Sequence, residues 1–208
     1  MARTTAPLFS MSASGTLNDS IVFSNWKGRS YVRSHVIPHN PKSAAQTGIR
    51  AMMKFLSQQW AGLSTANQAT WATLADAKKV SAFNAFVSYN LARWREFKGP
   101  SIEYPAAETV SAGTVTLGAP AGGPRNIVLT LTPSTATNMV GIVIFRDSAT
   151  IVTANWNIAI AIAAVSSTDP ITYTDSPLDA GTYHYRAALL TDDGNIGTAC
   201  ADQSGTAT

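Results

Sequence analysis

The sequence predicts an α+β, multi-domain protein: an extended β-hairpin arm and a small three-helix unit, followed by an all-β sandwich. Three observations carry this. Residues 1–100 hold 12 Lys and Arg against 3 Asp and Glu, whereas residues 101–208 hold 3 against 9. The hydrophobic period changes from helical to alternating at the same place. Seven short strand-like segments then follow in under 100 residues. A basic half and an acidic half of different patterning read as units that meet different neighbours.

The arm comes first, over 1–40. Gly15 and Asn18-Asp19 mark turns, and Ile21-Val-Phe23 and Tyr31-Val32 flank Asn25-Trp-Lys-Gly-Arg29, a β-hairpin with Gly28 in its turn. The helical unit follows, over 41–98. Asn40 precedes Pro41, a favoured first helical residue, and Ser43-Ala-Ala-Gln46 has the spacing of a capping box. Ile49, Met52, Met53, Leu56, Trp60 and Leu63 recur as the stripe of an amphipathic helix that Gly62 ends. Thr65-Ala-Asn-Gln68 is a second capping box leading to Trp71 and Leu74, and Phe83, Phe86, Val87, Leu91 and Trp94 form a third stripe. Trp60, Trp71 and Trp94 are expected in the core.

Gly99-Pro100 and Tyr104-Pro105 predict a linker over 99–110. Beyond it, the expected strands are Thr114–Leu117, Asn126–Leu131, Val140–Arg146, Ala159–Val165, Ile171–Tyr173, Tyr183–Leu190 and Gly197–Ala201, a sandwich over 111–208. Asp193-Gly194 sits where a hairpin needs positive φ.

Composition bounds the chemistry. At 208 residues and 45% hydrophobic, the chain can bury one or two modest cores. Charged residues make up 13%, about half the usual share, so much of the polar surface is uncharged or covered by partners. Cys200 is the single cysteine, which rules out a disulfide or a cysteine metal cage within the chain. The start, Met1-Ala-Arg-Thr-Thr-Ala-Pro-Leu8, lacks the apolar core of a signal peptide. The longest apolar run, Ile158–Val165, is too short to span a bilayer. The expectation is a soluble protein made in the cytoplasm, with no membrane partner.

Few residues compete for catalysis. His35 and His39 have metal-pair spacing, but Pro38 between them breaks the helix that spacing needs. His184 alternates with Tyr183 and Tyr185 and reads as a solvent-facing strand residue. Asp192-Asp193-Gly194-Asn195 lacks the ligand pattern of a calcium loop and reads as a turn. Asp147, Asp169, Asp175 and Asp179 fall at strand ends in solvated loops, and nothing selects two of them as a glycosidase dyad. No enzyme activity and no cofactor or metal are expected. Trp26, Lys27, Arg29, Tyr31 and Arg33 form the candidate assembly interface, because an aromatic beside Arg is the composition favoured at interface anchors. The same cluster could hold nucleic acid by phosphate contact and stacking. The remaining positive charge is dispersed, however, and docking on an acidic protein surface is the preferred reading.

Two resemblances add to this. Val140-Gly-Ile-Val-Ile-Phe-Arg146, Ile171-Thr-Tyr-Thr-Asp175 and Leu178-Asp-Ala-Gly-Thr-Tyr-His-Tyr-Arg186 resemble a fibronectin type III or similar immunoglobulin-like module. That implies an immunoglobulin-like sandwich with Tyr183 at the tyrosine corner, its hydroxyl bonded to nearby backbone. Leu129 and Leu131 stand where that family usually has tryptophan.

The N-terminal half, through Gly15-Thr-Leu-Asn-Asp-Ser-Ile-Val-Phe23, Trp26-Lys-Gly-Arg29, Tyr31-Val-Arg33, Pro38-His-Asn-Pro41, Gln46, Arg50, Trp60 and Trp71, resembles small virion proteins of tailed bacteriophages and prophages. This implies a non-enzymatic virion protein. The preferred form is a capsid decoration or cement protein that docks by its basic half on the major capsid protein or another virion structural protein, in many copies, and projects the sandwich. The alternatives are a tail, connector or glycan-binding host-attachment component, or a nucleic-acid-associated virion protein.

Overall fold

The computed structural model describes residues 3–4, 13–37, 43–110, 112–134 and 138–208. Asn40 and Pro41, expected to open the first helix, lie outside them, as does His39. The chain forms two compact units, Met1–Pro41 and Lys42–Thr208.

The first unit is an antiparallel meander of β1 (Arg3–Thr4), β2 (Ala13–Leu17), β3 (Ile21–Trp26) and β4 (Arg29–Ser34). Asn18 and Asp19 both take φ +47°, and the Ser20 amide donates to the Leu17 carbonyl at 3.1 Å. Lys27 at φ +49° and Gly28 at φ +77° make the β3–β4 turn. Two successive left-handed residues match the twist of the strands they join, and glycine takes that conformation without a Cβ penalty.

In the second unit, α1 (Ala44–Gly62), α2 (Thr65–Thr70), α3 (Ala72–Lys78) and α4 (Ala82–Arg95) precede the strands. Ser64 and Ser81 cap α2 and α4, each accepting from the amide three residues on. The expected capping boxes are not formed. Ser43 is the N-cap of α1 but makes no side-chain bond, and the second cap is Ser64 rather than Thr65. The second helical stretch breaks at Trp71, whose indole Nε1 donates to the Ile102 carbonyl at 3.1 Å.

The strands are β5 (Val115–Leu117), β6 (Ala121–Gly123), β7 (Asn126–Pro133), β8 (Met139–Asp147), β9 (Ala159–Ala164), β10 (Ile171–Asp175), β11 (Gly181–Thr191) and β12 (Gln203–Ala207). One sheet runs β10-β7-β5 with β6 also on β7, and the other runs β12-β11-β8-β9. Val115, Leu117, Ile127, Leu129 and Leu131 of the first sheet meet Ile142, Ile144, Tyr185, Ala187 and Leu189 of the second to fill the sandwich. The last strand differs from expectation. Gly197–Ala201 is not a strand, because Arg186 takes the Cys200 and Ala199 carbonyls and Cys200 Sγ accepts the Ala187 amide, leaving β12 to begin at Gln203.

The helices do not form a unit of their own. Val143, Phe145, Ala188 and Leu190, on the outer face of the second sheet, share a core with Met52, Phe55, Leu56, Trp71, Phe86 and Trp94. The sheet is therefore buried on both faces, and the unit is a helical layer on a two-sheet sandwich. Close approach is built in at Gly48, where a Cβ would lie 2.2 Å from the Trp156 carbonyl oxygen in the 3-10 turn Trp156–Ile158 before β9.

Residues 99–110 are likewise not a free linker. Arg93, buried on α4, donates from Nε to the Gly99 carbonyl at 3.0 Å and from Nη2 to the Gly194 carbonyl at 2.5 Å, and it pairs with Glu108. Asn90 holds Ser101 through both its amide groups, and the Ile102 amide donates to the Asp192 carbonyl at 2.8 Å. Proline and glycine signalled loss of regular structure here, but the segment's polar groups are spent on both layers.

Candidate functional site

The register of the arm decides what its side chains can do together. Val22 faces Arg33, Ser24 faces Tyr31 and Trp26 faces Arg29 across the β3–β4 pair. Directly opposed residues lie on the same side of a sheet, and alternate residues along a strand share that side. Trp26, Arg29, Tyr31 and Arg33 therefore occupy one face, with Thr16 of β2 beside Val22. The other face carries Leu17, Ile21, Phe23 and Val32.

The basic face is open. Trp26 is 65% exposed and Tyr31 42%, and Arg29 and Arg33 are exposed. Lys27, in the turn, places Nζ 4.8 Å from the Trp26 ring centroid, a cation–π contact that steadies an otherwise free indole. The five residues singled out in the sequence are thus brought together as four side chains on one face and a lysine stacked on the first. Asp19 is the one carboxylate among residues 1–41, and it sits at the opposite turn. The face offers Tyr31 between Arg29 and Arg33 and Trp26 opposite Arg29, suited to an acidic surface that also presents apolar area.

Other polar assemblies hold the fold. The Tyr183 hydroxyl donates to the Asp179 carbonyl at 3.1 Å, the bond expected of a tyrosine corner. Asp175 is buried rather than solvated. Arg146 Nη1 reaches both its oxygens at 2.9 and 2.8 Å, and the Tyr185 hydroxyl donates to Oδ2 at 2.9 Å. Burial and then the Asp175 carboxylate push the Tyr185 phenol well above its usual range. His184 is also not a free surface residue, since its Nδ1 lies 2.6 Å from Asp202 Oδ2.

The turn Asp192-Asp193-Gly194-Asn195 anchors the connector. Burial alone would raise the Asp193 carboxyl, but bonds from Thr191 and from the Val110, Asn195 and Thr109 amides bring it below the usual carboxylate range. Its neighbour Asp192 is held above that range by burial and by Asp193. Among the described residues, no group of three or more His, Cys, Asp or Glu is placed to hold a metal ion. No described helix is long and apolar enough to cross a membrane.

Sequence reasoning missed Arg93 and Asn90, polar residues on the buried side of α4, and Gln59, polar on the buried side of α1. The readable signal was a polar residue in register with an apolar stripe.

No family model matches the chain, and no curated protein does. Among solved structures, a β-1,2-glucanase from Parabacteroides distasonis is similar at 16% identity and TM-score 0.37, over 48% of this chain and 13% of that one. The PKD domain of an M14-like peptidase from a Thermoplasmatales archaeon is similar at 15% identity and TM-score 0.30, over 47% of this chain and 93% of that one. A CARDB domain from Pyrococcus furiosus is similar at 12% identity and TM-score 0.28, over 48% of this chain and 96% of that one. The chain thus spans about an eighth of the glucanase. What its own strand order, two-sheet core and Tyr183 corner establish is a mixed α/β protein containing an immunoglobulin-like sandwich.

Proposed function

We propose that this chain is a non-enzymatic structural protein of a tailed-phage virion, a capsid decoration or cement protein that docks through its arm and projects a fibronectin type III-like sandwich. The observation that carries the docking half is the cross-strand register that gathers Trp26, Arg29, Tyr31 and Arg33 on one exposed face. Charge supports the same division. Four of the 15 Lys and Arg lie in residues 1–41 against one carboxylate, while the other 11 meet 11 carboxylates in 42–208. The arm alone carries excess positive charge, and a small positive face gains most from an acidic lattice that offers many copies of its complement. The partner is the major capsid protein or another virion structural protein, and the site of action is the particle.

The test is co-sedimentation with purified particles lacking this protein, across a range of salt. Trp26→Ala should weaken retention at all salt concentrations, whereas Arg29→Glu and Arg33→Glu should abolish it at low salt by opposing like charges. Retention by Arg29→Glu equal to that of the parent would overturn the reading. Filter retention of DNA by the full chain, with a steep salt slope, would replace it with nucleic-acid binding.

A further inference from the structure

β4 is the outer strand of the arm, and its far edge is open. Among the described residues it pairs with β3 alone, and all six of its residues are exposed. The phase of the ladder fixes which backbone groups are left over. The His35 amide donates to the Ser20 carbonyl at 2.7 Å, which makes Ser20 and His35 a hydrogen-bonded pair that continues the β3–β4 register. Bonded and non-bonded pairs alternate along an antiparallel ladder, and both backbone groups of a residue point to the same side. Arg33, Tyr31 and Arg29 therefore turn their N–H and C=O toward β3, whereas Ser34, Val32 and Ser30 turn theirs outward.

Natural sheets blunt such edges with proline, bulges or charges. β4 has no proline, and its register with β3 runs without a shift. Its outward residues share a face with Ile21, Phe23 and Asn25, where neither β3 nor β4 carries a charge. The two charges of β4, Arg29 and Arg33, lie on the opposite face, and they decide which strand can be added.

A second β4, related by a twofold axis normal to the sheet, fits this edge in one register. Val32 then meets the second copy's Val32 and Ser30 meets its Ser34, so all three outward residues exchange backbone bonds. On the basic face the same register sets Arg33 against the second copy's Tyr31, a favourable cation–π pair. A slip of two residues opposes Arg33 to Arg33 in one direction and Arg29 to Arg33 in the other, and each slip loses a bonded pair. The arginines thus select the register that keeps them apart.

We propose that β4 is a homodimerisation edge, where two copies join their arms into one continuous sheet with Val32 on the twofold axis. The contact is self-complementary and closes on itself, so it ends at two copies. It sets both basic faces on the same side of the joined sheet. The inference goes beyond the docking role and needs no virion partner.

Proline at position 32 separates the edge from the hairpin, because the Val32 amide points outward and its loss takes no bond from β3. In sedimentation equilibrium the full chain should have the mass of two copies and Val32→Pro that of one, with the Tyr31 and Arg33 amides equally protected from hydrogen exchange in both. In the parent, protection of the Ser30, Val32 and Ser34 amides should fall on dilution while that of Tyr31 and Arg33 holds. Val32→Cys should cross-link two chains on mild oxidation, since a bonded antiparallel pair holds its Cα atoms about 5.5 Å apart, within disulfide reach. Ser34→Cys, and the parent with its Cys200, should not. A parent that stays monomeric at millimolar concentration, a dimer that Val32→Pro leaves intact, or cross-linking by Ser34→Cys in place of Val32→Cys overturns the proposal. None of these results touches the docking reading, since no particle is present.

Discussion

The guanidinium of Arg93 on α4 donates to the carbonyl of Gly194, 101 residues further along the chain, in the connection between β11 and β12. One side chain thereby ties the helical layer, residues 99–110 and the sandwich together. Helices and sandwich should melt as one cooperative unit, with tryptophan fluorescence and far-ultraviolet dichroism giving the same midpoint. Arg93→Met strands the Gly99 and Gly194 carbonyls at about 1–3 kcal/mol each, so a loss of at least about 2 kcal/mol is expected in denaturant unfolding. Limited proteolysis of the parent should spare 99–110.

Gly48→Ala sets helix propensity against packing. Alanine favours the helix by about 1 kcal/mol, but its Cβ would press on a backbone carbonyl that cannot move aside without shifting α1 or the turn before β9. Net destabilisation of about 1–3 kcal/mol is expected. A rise in the melting temperature would show that α1 sits farther from the sheet.

Two tyrosines two residues apart should respond differently to loss of the hydroxyl. Tyr183→Phe gives up one bond to an exposed backbone carbonyl, at about 1 kcal/mol. Tyr185→Phe removes a donor from the buried Asp175 carboxylate and should cost about 1.5–3 kcal/mol. Denaturant melts of both variants rank them directly.

The acid response has opposing parts. The Glu108 carboxyl is lowered by its bond to Arg93, and Asp193 is lowered by bonds that outweigh its burial. The stability each contributes is present above the ordinary carboxylate range and lost as pH falls through the depressed folded value. Asp192 is raised, so its ionised form penalises the fold and the penalty lifts as pH falls. Asp192→Asn should therefore stabilise the protein at neutral pH, with the gain vanishing below roughly pH 4. Thermal melts at pH 7 and pH 3.5 on variant and parent provide the comparison.

Removal of residues 1–41 should leave the melting temperature of the remainder nearly unchanged, because the two units are compact by themselves. A drop of several degrees would mean that the body draws stability from the arm.

Much of this architecture could be read from residue patterning. The strand-like segments expected at Val140–Arg146 and Tyr183–Leu190 fall within β8 and β11, and the turn at Gly28 placed both hairpin strands, so that strand parity alone sorts Trp26, Arg29, Tyr31 and Arg33 onto one side. The helical layer's attachment was also written there and is easily overlooked. In Val140-Gly-Ile-Val-Ile-Phe145 both parities are apolar, which an antiparallel sheet tolerates only when both faces are covered. The charge break near residue 100 misleads for a related reason, since basic helices and acidic strands balance within one folded body. The pairing of Arg93 with Gly194 depends on long-range packing, which local periodicity does not encode.

The triad of Asp175, Arg146 and Tyr185 has a consequence for where this sandwich can work. Asp175 ends β10 in one sheet, while Arg146 and Tyr185 lie on β8 and β11 in the other, so the bonds rivet the two sheets together. Tyr185 follows the tyrosine corner by two residues, where antibody domains place the second half of their inter-sheet cystine. Here the fastener is ionic and phenolic, and neither a reducing cytoplasm nor an oxidising exterior can make or break it. The two sheets are fastened without an oxidant, by contacts that no change of redox potential alters.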